Sequence, residues 1–222
     1  MSVSAPLMIE SQPRDGGTCH LLIQGNRAVL IDPPLAELEG IKSGLDARGL
    51  LLRYVLYTAS EAEHSPLANG SYTHLLASLG AKLDLDLGLE EATGDDETTW
   101  DLGFSIRPLD RQGDLLYMEC GVQDIALDPS SNQVLELDAC GDDCPERVGA
   151  LFLPFGGQSI QAIPLPGAQV AWQLGDRVFW SGDLEELPPA LDKLSPSTLL
   201  YTSAPGPWIT SIQQLRWSKA SR

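Results

Sequence analysis

Histidine is scarce in this chain: His20, His64 and His74 are the three in 222 residues. Basic residues are few as well, 14 Lys and Arg against 31 Asp and Glu, for a formal net charge of −17. Nucleic acid and anionic membranes are both bound through Lys and Arg contacts, so no nucleic acid and no membrane is expected as a partner. A solvated acidic surface accounts for the charge, and a neutral or cationic partner is compatible with it. No apolar run approaches the roughly 20 residues that span a bilayer. The N-terminal stretch has no basic segment followed by an apolar one, so no signal peptide is expected and the expected location is cytoplasmic. Cysteine is limited to four residues. Cys140 and Cys144 form a C-x3-C pair, with no second pair and no nearby histidine to complete a zinc site. Cys19 and Cys120 lie in or near strand-like runs and read as small buried hydrophobes.

What is present is an ordinary core. The apolar fraction is 43%, enough for a globular domain, and no linker or short repeat divides the chain. One domain over residues 1–222 is expected. Cys19–Ile23 and Ala28–Asp32 read as strands around a Gly25-Asn26 turn. Leu35–Gly49 reads as a helix with Leu35, Leu38, Ile41 and Leu45 on one face. Leu50–Tyr57 is apolar except for Arg53, which suits a strand covered on both faces. A helix over Ser65–Leu79, a half-exposed strand over Ala81–Leu89 and an acidic loop over Glu90–Trp100 follow. Phe104–Leu109 and Leu115–Cys120 are strand candidates. Gly121–Pro145 is acidic and turn-rich, an insertion or an irregular hairpin. From Ala150 the pattern sharpens: strands over Ala150–Phe155 and Ser159–Leu165, then a hairpin over Gln169–Leu174 and Arg177–Ser181. A short helical turn within Leu187–Leu194, a strand over Thr198–Thr202 and a helix over Ile209–Trp217 close the chain. The two halves share one grammar, which predicts an α/β fold of two sheet layers with helices outside.

The stretch from Tyr54 to Gly70 stands out. A buried strand, Tyr54–Tyr57, runs into Thr58-Ala59-Ser60-Glu61-Ala62-Glu63-His64. Ionisable side chains at the C-terminal end of a buried strand are where α/β proteins usually place their chemistry. Three further strand ends carry motif-like residues: Ala28–Pro34 (AVLIDPP), Pro166-Gly167-Ala168 and Ser181-Gly182-Asp183. In combination these resemble the metallo-β-lactamase superfamily, over roughly Gly17 to Trp217. Its hairpin ends in an Ile-Asp-Thr-Gly-like turn. Its Thr-His-x-His-x-Asp-His run follows a buried strand, and a Pro-Gly-His turn and a strand ending in Gly-Asp come later. The resemblance implies a four-layer αββα sandwich with the site along one edge between the sheets.

The departures from that pattern bear on function. The resemblance places the first metal's ligands at Ala59, Glu61 and Ala168, and two of these three side chains have no donor atom. It places the second metal's ligands at Glu63, His64, Asp183 and, by approximate register, Ser203. One imidazole with carboxylates suits a hard or borderline divalent ion, iron, manganese or magnesium better than tetrahedral zinc. The expected cofactor is therefore none, or one divalent metal ion held by Glu63, His64 and Asp183 with Glu61 as a further oxygen. Two metals bring a bridging water to a near-neutral pKa; one metal among anionic ligands activates water less. Without metal, Glu61, Glu63 and Asp183 would crowd like charges, and His64 is their natural counter-cation.

Three readings follow. The first is a superfamily member without the usual hydrolysis that binds a small molecule or a protein. The second is a mononuclear hydrolase. The third is an acidic scaffold subunit that docks a basic partner. A homo-oligomer is compatible with each. His64 also has a structural reading, as an imidazole hydrogen-bonded beside Asp183. His74 reads as an ordinary helix residue, and His20 carries no motif. Asp32 reads as a structural acceptor for neighbouring loops. Trp172 and Trp180 read as a cross-strand packing pair.

Overall fold

The hairpin signals at Gly25-Asn26 and Gly175-Asp176 each close a tight turn in the computed structural model. The structure describes residues 5–14, 17–59, 104–112, 115–120, 123–128, 133–136, 147–150, 152–182, 187–204 and 209–220. The first hairpin joins β2 (Gly17–Gln24) to β3 (Arg27–Ile31). Gly25 takes the left-handed conformation, φ 63°, which an L side chain adopts only at a cost. Upstream lies a strand that the sequence pattern does not announce, β1 (Leu7–Arg14), paired antiparallel to β2. It is polar, half-exposed and at the sheet edge, and its Pro13 is tolerated there.

After Asp32-Pro33-Pro34, a 3-10 turn over Leu35–Glu37 leads into α1 (Leu38–Ala47). The expected apolar face is observed: Leu38 and Leu45 are buried, and Ile41 packs against the same cluster. β4 (Leu51–Leu56) returns parallel to β3. Its register advances from Leu52 to Tyr54 while β3 advances only from Ala28 to Val29. This bulge at Arg53 puts Leu52 and Val55 on the helix side and Tyr54 and Leu56 on the other.

β5 (Phe104–Gln112), β6 (Leu115–Cys120), β7 (Gln123–Asp128), β8 (Gln133–Glu136) and β9 (Arg147–Ala150) extend this sheet to nine strands in the order of the sequence. The acidic Gly121–Pro145 segment thus contributes an antiparallel pair, β7 and β8, to a regular ladder. The expected helix over Ser65–Leu79, the strand over Ala81–Leu89 and the loop over Glu90–Trp100 lie outside the described residues, as do His74, Cys140 and Cys144.

The second sheet has six strands: β10 (Phe152–Phe155), β11 (Gln158–Leu165), β12 (Gln169–Leu174), β13 (Arg177–Trp180), β14 (Leu199–Thr202) and β15 (Ile209–Ser211). β13 and β14 are parallel, connected through the short helix α2 (Pro189–Asp192). The closing helix α3 (Ile212–Ala220) starts three residues later than the spacing predicts, because Ile209–Ser211 pair with β14 as an edge strand.

Three apolar clusters define the layers. One lies between the sheets, with Leu22, Ile31, Tyr54 and Leu56 facing Phe155, Val170, Trp172 and Phe179. A second lies between α1 and the outer face of the nine-stranded sheet. In the third, Leu191 of α2 and Ile212 of α3 cover Ala171, Val178, Trp180 and Leu200. Helix, sheet, sheet, helix is the expected αββα order. The tryptophan expectation needs correction: Trp172 faces the other sheet and Trp180 faces the helices, so they occupy opposite faces. The cross-strand partner of Trp172 is Phe179. Among the described residues, no helix is long and apolar enough to cross a membrane.

Candidate functional site

Parallel pairing of β3 with β4, and of β13 with β14, sends all four C-terminal ends to one edge of the sandwich. Asp32 is the first residue past β3. Its backbone N–H still joins the ladder, donating to the Leu56 carbonyl at 2.9 Å. The residue then turns left-handed, φ 51°, a conformation that Asp tolerates better than most side chains. Its carboxylate accepts three hydrogen bonds. The Thr58 N–H reaches Oδ1 at 2.8 Å, the Thr58 hydroxyl reaches Oδ2 at 2.7 Å, and the Ser203 hydroxyl reaches Oδ2 at 2.5 Å. Asp32 is thus the structural acceptor that its strand-end position suggests, and it binds segments from both sheets.

Further bonds cross between the sheets at this edge. The Val170 N–H donates to the Thr58 carbonyl at 2.8 Å, and Ala59 bridges antiparallel to Gln169. The Thr18 N–H donates to the Ser203 carbonyl at 2.8 Å. The approach there is so close that a Cβ on Gly17 would collide with the Ser203 carbonyl oxygen. The Trp172 indole N–H donates to the Tyr57 carbonyl at 3.0 Å.

His20 completes the cluster. It is fully buried on β2, with its ring beside Phe179 and Tyr201 at centroid distances of 5.5 and 5.9 Å. Nε2 lies 3.3 Å from the Thr202 carbonyl, which can only accept, so Nε2 carries the proton. Nδ1 then accepts from the Ser11 hydroxyl at 2.9 Å. Burial pushes the His20 pKa down, against the pull of the Asp32 carboxylate and the Thr202 carbonyl. Cys19, also buried, is pushed up to about 12 by burial and then by Asp32, so its thiol is inert at neutral pH. The motif reading passed over His20. Its one signal is its place in Cys19–Ile23, an imidazole sharing the inward register with Leu22.

The expected ligand positions can now be placed. Ala59 is buried, its backbone paired with Gln169, the neighbour of half-buried Ala168. Ser203 is buried and bonded to Asp32, one residue past β14. These three positions therefore meet at one edge. Glu61, Glu63, His64 and Asp183 lie outside the described residues. Gly182, which precedes Asp183 in the chain, accepts from the Thr202 hydroxyl at 3.1 Å through its carbonyl oxygen. Among the described residues, no group of three or more His, Cys, Asp or Glu stands close enough to hold a metal ion. Ala59 and Ala168 offer no donor atom, and the Ser203 proton is committed to Asp32. Two of the three first-metal positions that the resemblance implies, Ala59 and Ala168, are thus alanines, while Ser203 belongs to the second set.

No protein-family model matches the sequence, and no curated protein matches it. Solved structures do match. ETHE1 from Myxococcus xanthus is similar over 93% of this chain and 80% of its own, with 17% identity and a TM-score of 0.50. A metallo-β-lactamase from Staphylococcus aureus subsp. aureus COL is similar over 97% of this chain and 63% of its own, with 11% identity and a TM-score of 0.50. The chain has the metallo-β-lactamase fold, as its motifs suggest. At these identities the likeness is one of fold.

Proposed function

We propose that this protein keeps the metallo-β-lactamase fold without the dinuclear hydrolytic centre, and acts by binding a small molecule or a protein. One observation carries the reading. Of the three first-metal positions, Ala59 and Ala168 carry methyl groups with no donor atom, and Ser203, at a second-metal position, donates its hydroxyl to Asp32. Without two clamping ions, no bridging water is brought to a near-neutral pKa.

The alternative is a mononuclear hydrolase using Glu63, His64 and Asp183. It is favoured by the place of Gly182, which brings the chain to this same edge one residue before Asp183. One experiment separates the two. The protein is purified without chelator, its metal content is measured, and hydrolysis of ester, thioester and lactam substrates is assayed. The binding reading expects no stoichiometric metal and no turnover. One tightly held ion per chain, lost in His64→Ala together with any turnover, establishes the mononuclear reading. Two ions per chain would overturn both.

A further inference from the structure

Ser11 and His20 stand directly opposite each other in the pairing of β1 with β2. The Ser11 hydroxyl lies 2.9 Å from Nδ1, and Nε2 is held 3.3 Å from the Thr202 carbonyl. A hydroxyl bonded to a base that a third group orients is the arrangement of an activated nucleophile. The tautomer is the one such chemistry needs: Nε2 carries the proton, so Nδ1 offers its lone pair to Ser11. Phe179 and Tyr201, stacked on each other at 4.9 Å, flank the ring. An imidazolium formed by taking the Ser11 proton meets the Thr202 carbonyl and, through space, the Asp32 carboxylate.

The two residues differ in access: His20 is fully buried and Ser11 is half-buried. Among the described residues β1 is the edge strand of its sheet. Gln24 and Arg27 are partners across a two-residue turn, so the N–H and C=O of Gln24 face β3. Alternation along β2 then turns the backbone groups of Leu21 and Cys19 towards β1, where they meet those of Glu10 and Gln12. The Ser11 N–H therefore faces away from β2, to the sheet edge, beside its own hydroxyl. A backbone N–H there can receive the oxygen of a carbonyl that Oγ attacks.

We propose that Ser11 is a nucleophile that takes the acyl group of an activated carboxylic ester, with His20 as general base and no metal ion in the step. Oγ bonds to the carbonyl carbon while its proton passes to Nδ1. The ester C–O bond then breaks, and Nδ1 returns the proton to the departing oxygen. With His20 fully buried, the acyl group on Ser11 stands between Nδ1 and water, so the acyl-protein accumulates and no turnover follows. The proposal goes beyond the binding reading, and the two fail separately. Metal content tests that reading; modification of Ser11 tests this one.

The test incubates the full chain with p-nitrophenyl acetate, with and without EDTA, and maps the acetylated residues by peptide mass spectrometry. A single acetyl on Ser11, with a matching burst of p-nitrophenolate, is expected under both conditions. Ser11→Ala should abolish it, and His20→Gln should slow it by about a hundredfold or more. Acetyl confined to lysines, a Ser11 rate unchanged in His20→Gln, or labelling lost in EDTA would each overturn the proposal. Should His20→Gln fail to fold, the pH profile of wild-type Ser11 acetylation decides. The groups facing the ring are the Ser11 hydroxyl, the Thr202 carbonyl, Tyr201, Phe179 and, through space, Asp32. The rate should stay level from pH 8 to about 6.5 and fall below that as the base takes up a proton. A rate that falls about tenfold per pH unit over the whole range is that of an unassisted alkoxide and would overturn the proposal.

Discussion

Asp32 and His20 both sit at this edge, and burial treats them differently. Asp32 is half-buried and answered by three donors. His20 is fully buried with one donor and one acceptor, which suits the neutral ring. The groups facing His20 are the Ser11 hydroxyl from β1, the Thr202 carbonyl and Tyr201 ring from β14, Phe179 from β13 and, through space, the Asp32 carboxylate. Burial outweighs the attraction of Asp32, so the folded pKa lies below the ordinary 6.5. The unfolded chain takes up a proton near 6.5, while the folded chain takes it only at lower pH. The unfolded state therefore binds more protons across that window, and stability is lost as pH falls below about 6.5. Urea midpoints measured from pH 8 to pH 5 should fall more steeply for the wild type than for His20→Gln, which cannot titrate. Parallel curves would show that His20 does not supply the pH dependence.

At the scale of elements, local signals were readable and long-range ones were not. Gly25-Asn26, Gly175-Asp176 and the helical spacing of Leu38, Ile41 and Leu45 each act within a few residues, and each marks a feature that the structure contains. β1 escapes such a reading because its residues alternate neither in polarity nor in burial. β7, β8 and β15 owe their strand character to neighbours that supply the ladder, which composition cannot reveal. The strand ends that carry Asp32, Thr58 and Ser203 were legible, since strand ends show in sequence. The bonds between the strand ends were not, because those of Asp32 join residues 26 and 171 positions apart and that of His20 spans 182. The tryptophans show the same limit. Their nearness in the hairpin was plain, but strand alternation sets them on opposite faces. Trp172 alone reaches across the sheets, through its Nε1 bond to the Tyr57 carbonyl. Trp172→Phe leaves that buried carbonyl without its indole donor and opens a gap between the sheets. A loss of about 2 kcal/mol in urea unfolding is expected, with no change in m. A stability equal to that of the wild type would show that the inter-sheet layer repacks around Phe and water.

For the whole molecule, the dominant electrostatic fact is the net charge of −17. Ion pairs do tie elements together on the surface. Arg48 grips the Glu10 carboxylate with both guanidinium nitrogens, at 2.7 and 3.0 Å, and holds its pKa below the usual range. Arg14 reaches Glu37 at 2.7 Å, and Lys42 reaches Asp46 at 3.1 Å one helical turn away. All of these are solvent-accessible, and such pairs contribute about 0–1 kcal/mol each. Added salt weakens them slightly. It also screens the mutual repulsion of the surplus acidic charges, which the compact state holds closer together than the unfolded chain does. Repulsion involves the whole surface and the pairs involve a few residues, so screening of repulsion should win. Tm should rise as sodium chloride goes from 20 mM to 500 mM, conditions over which the Debye length shrinks from about 20 Å to about 4 Å. Sodium sulfate would confound the reading, since it also strengthens apolar burial, so chloride is the salt to use. A Tm that falls over this range would mean that the attractive pairs outweigh the repulsion, with the acidic surface organised around its few cations.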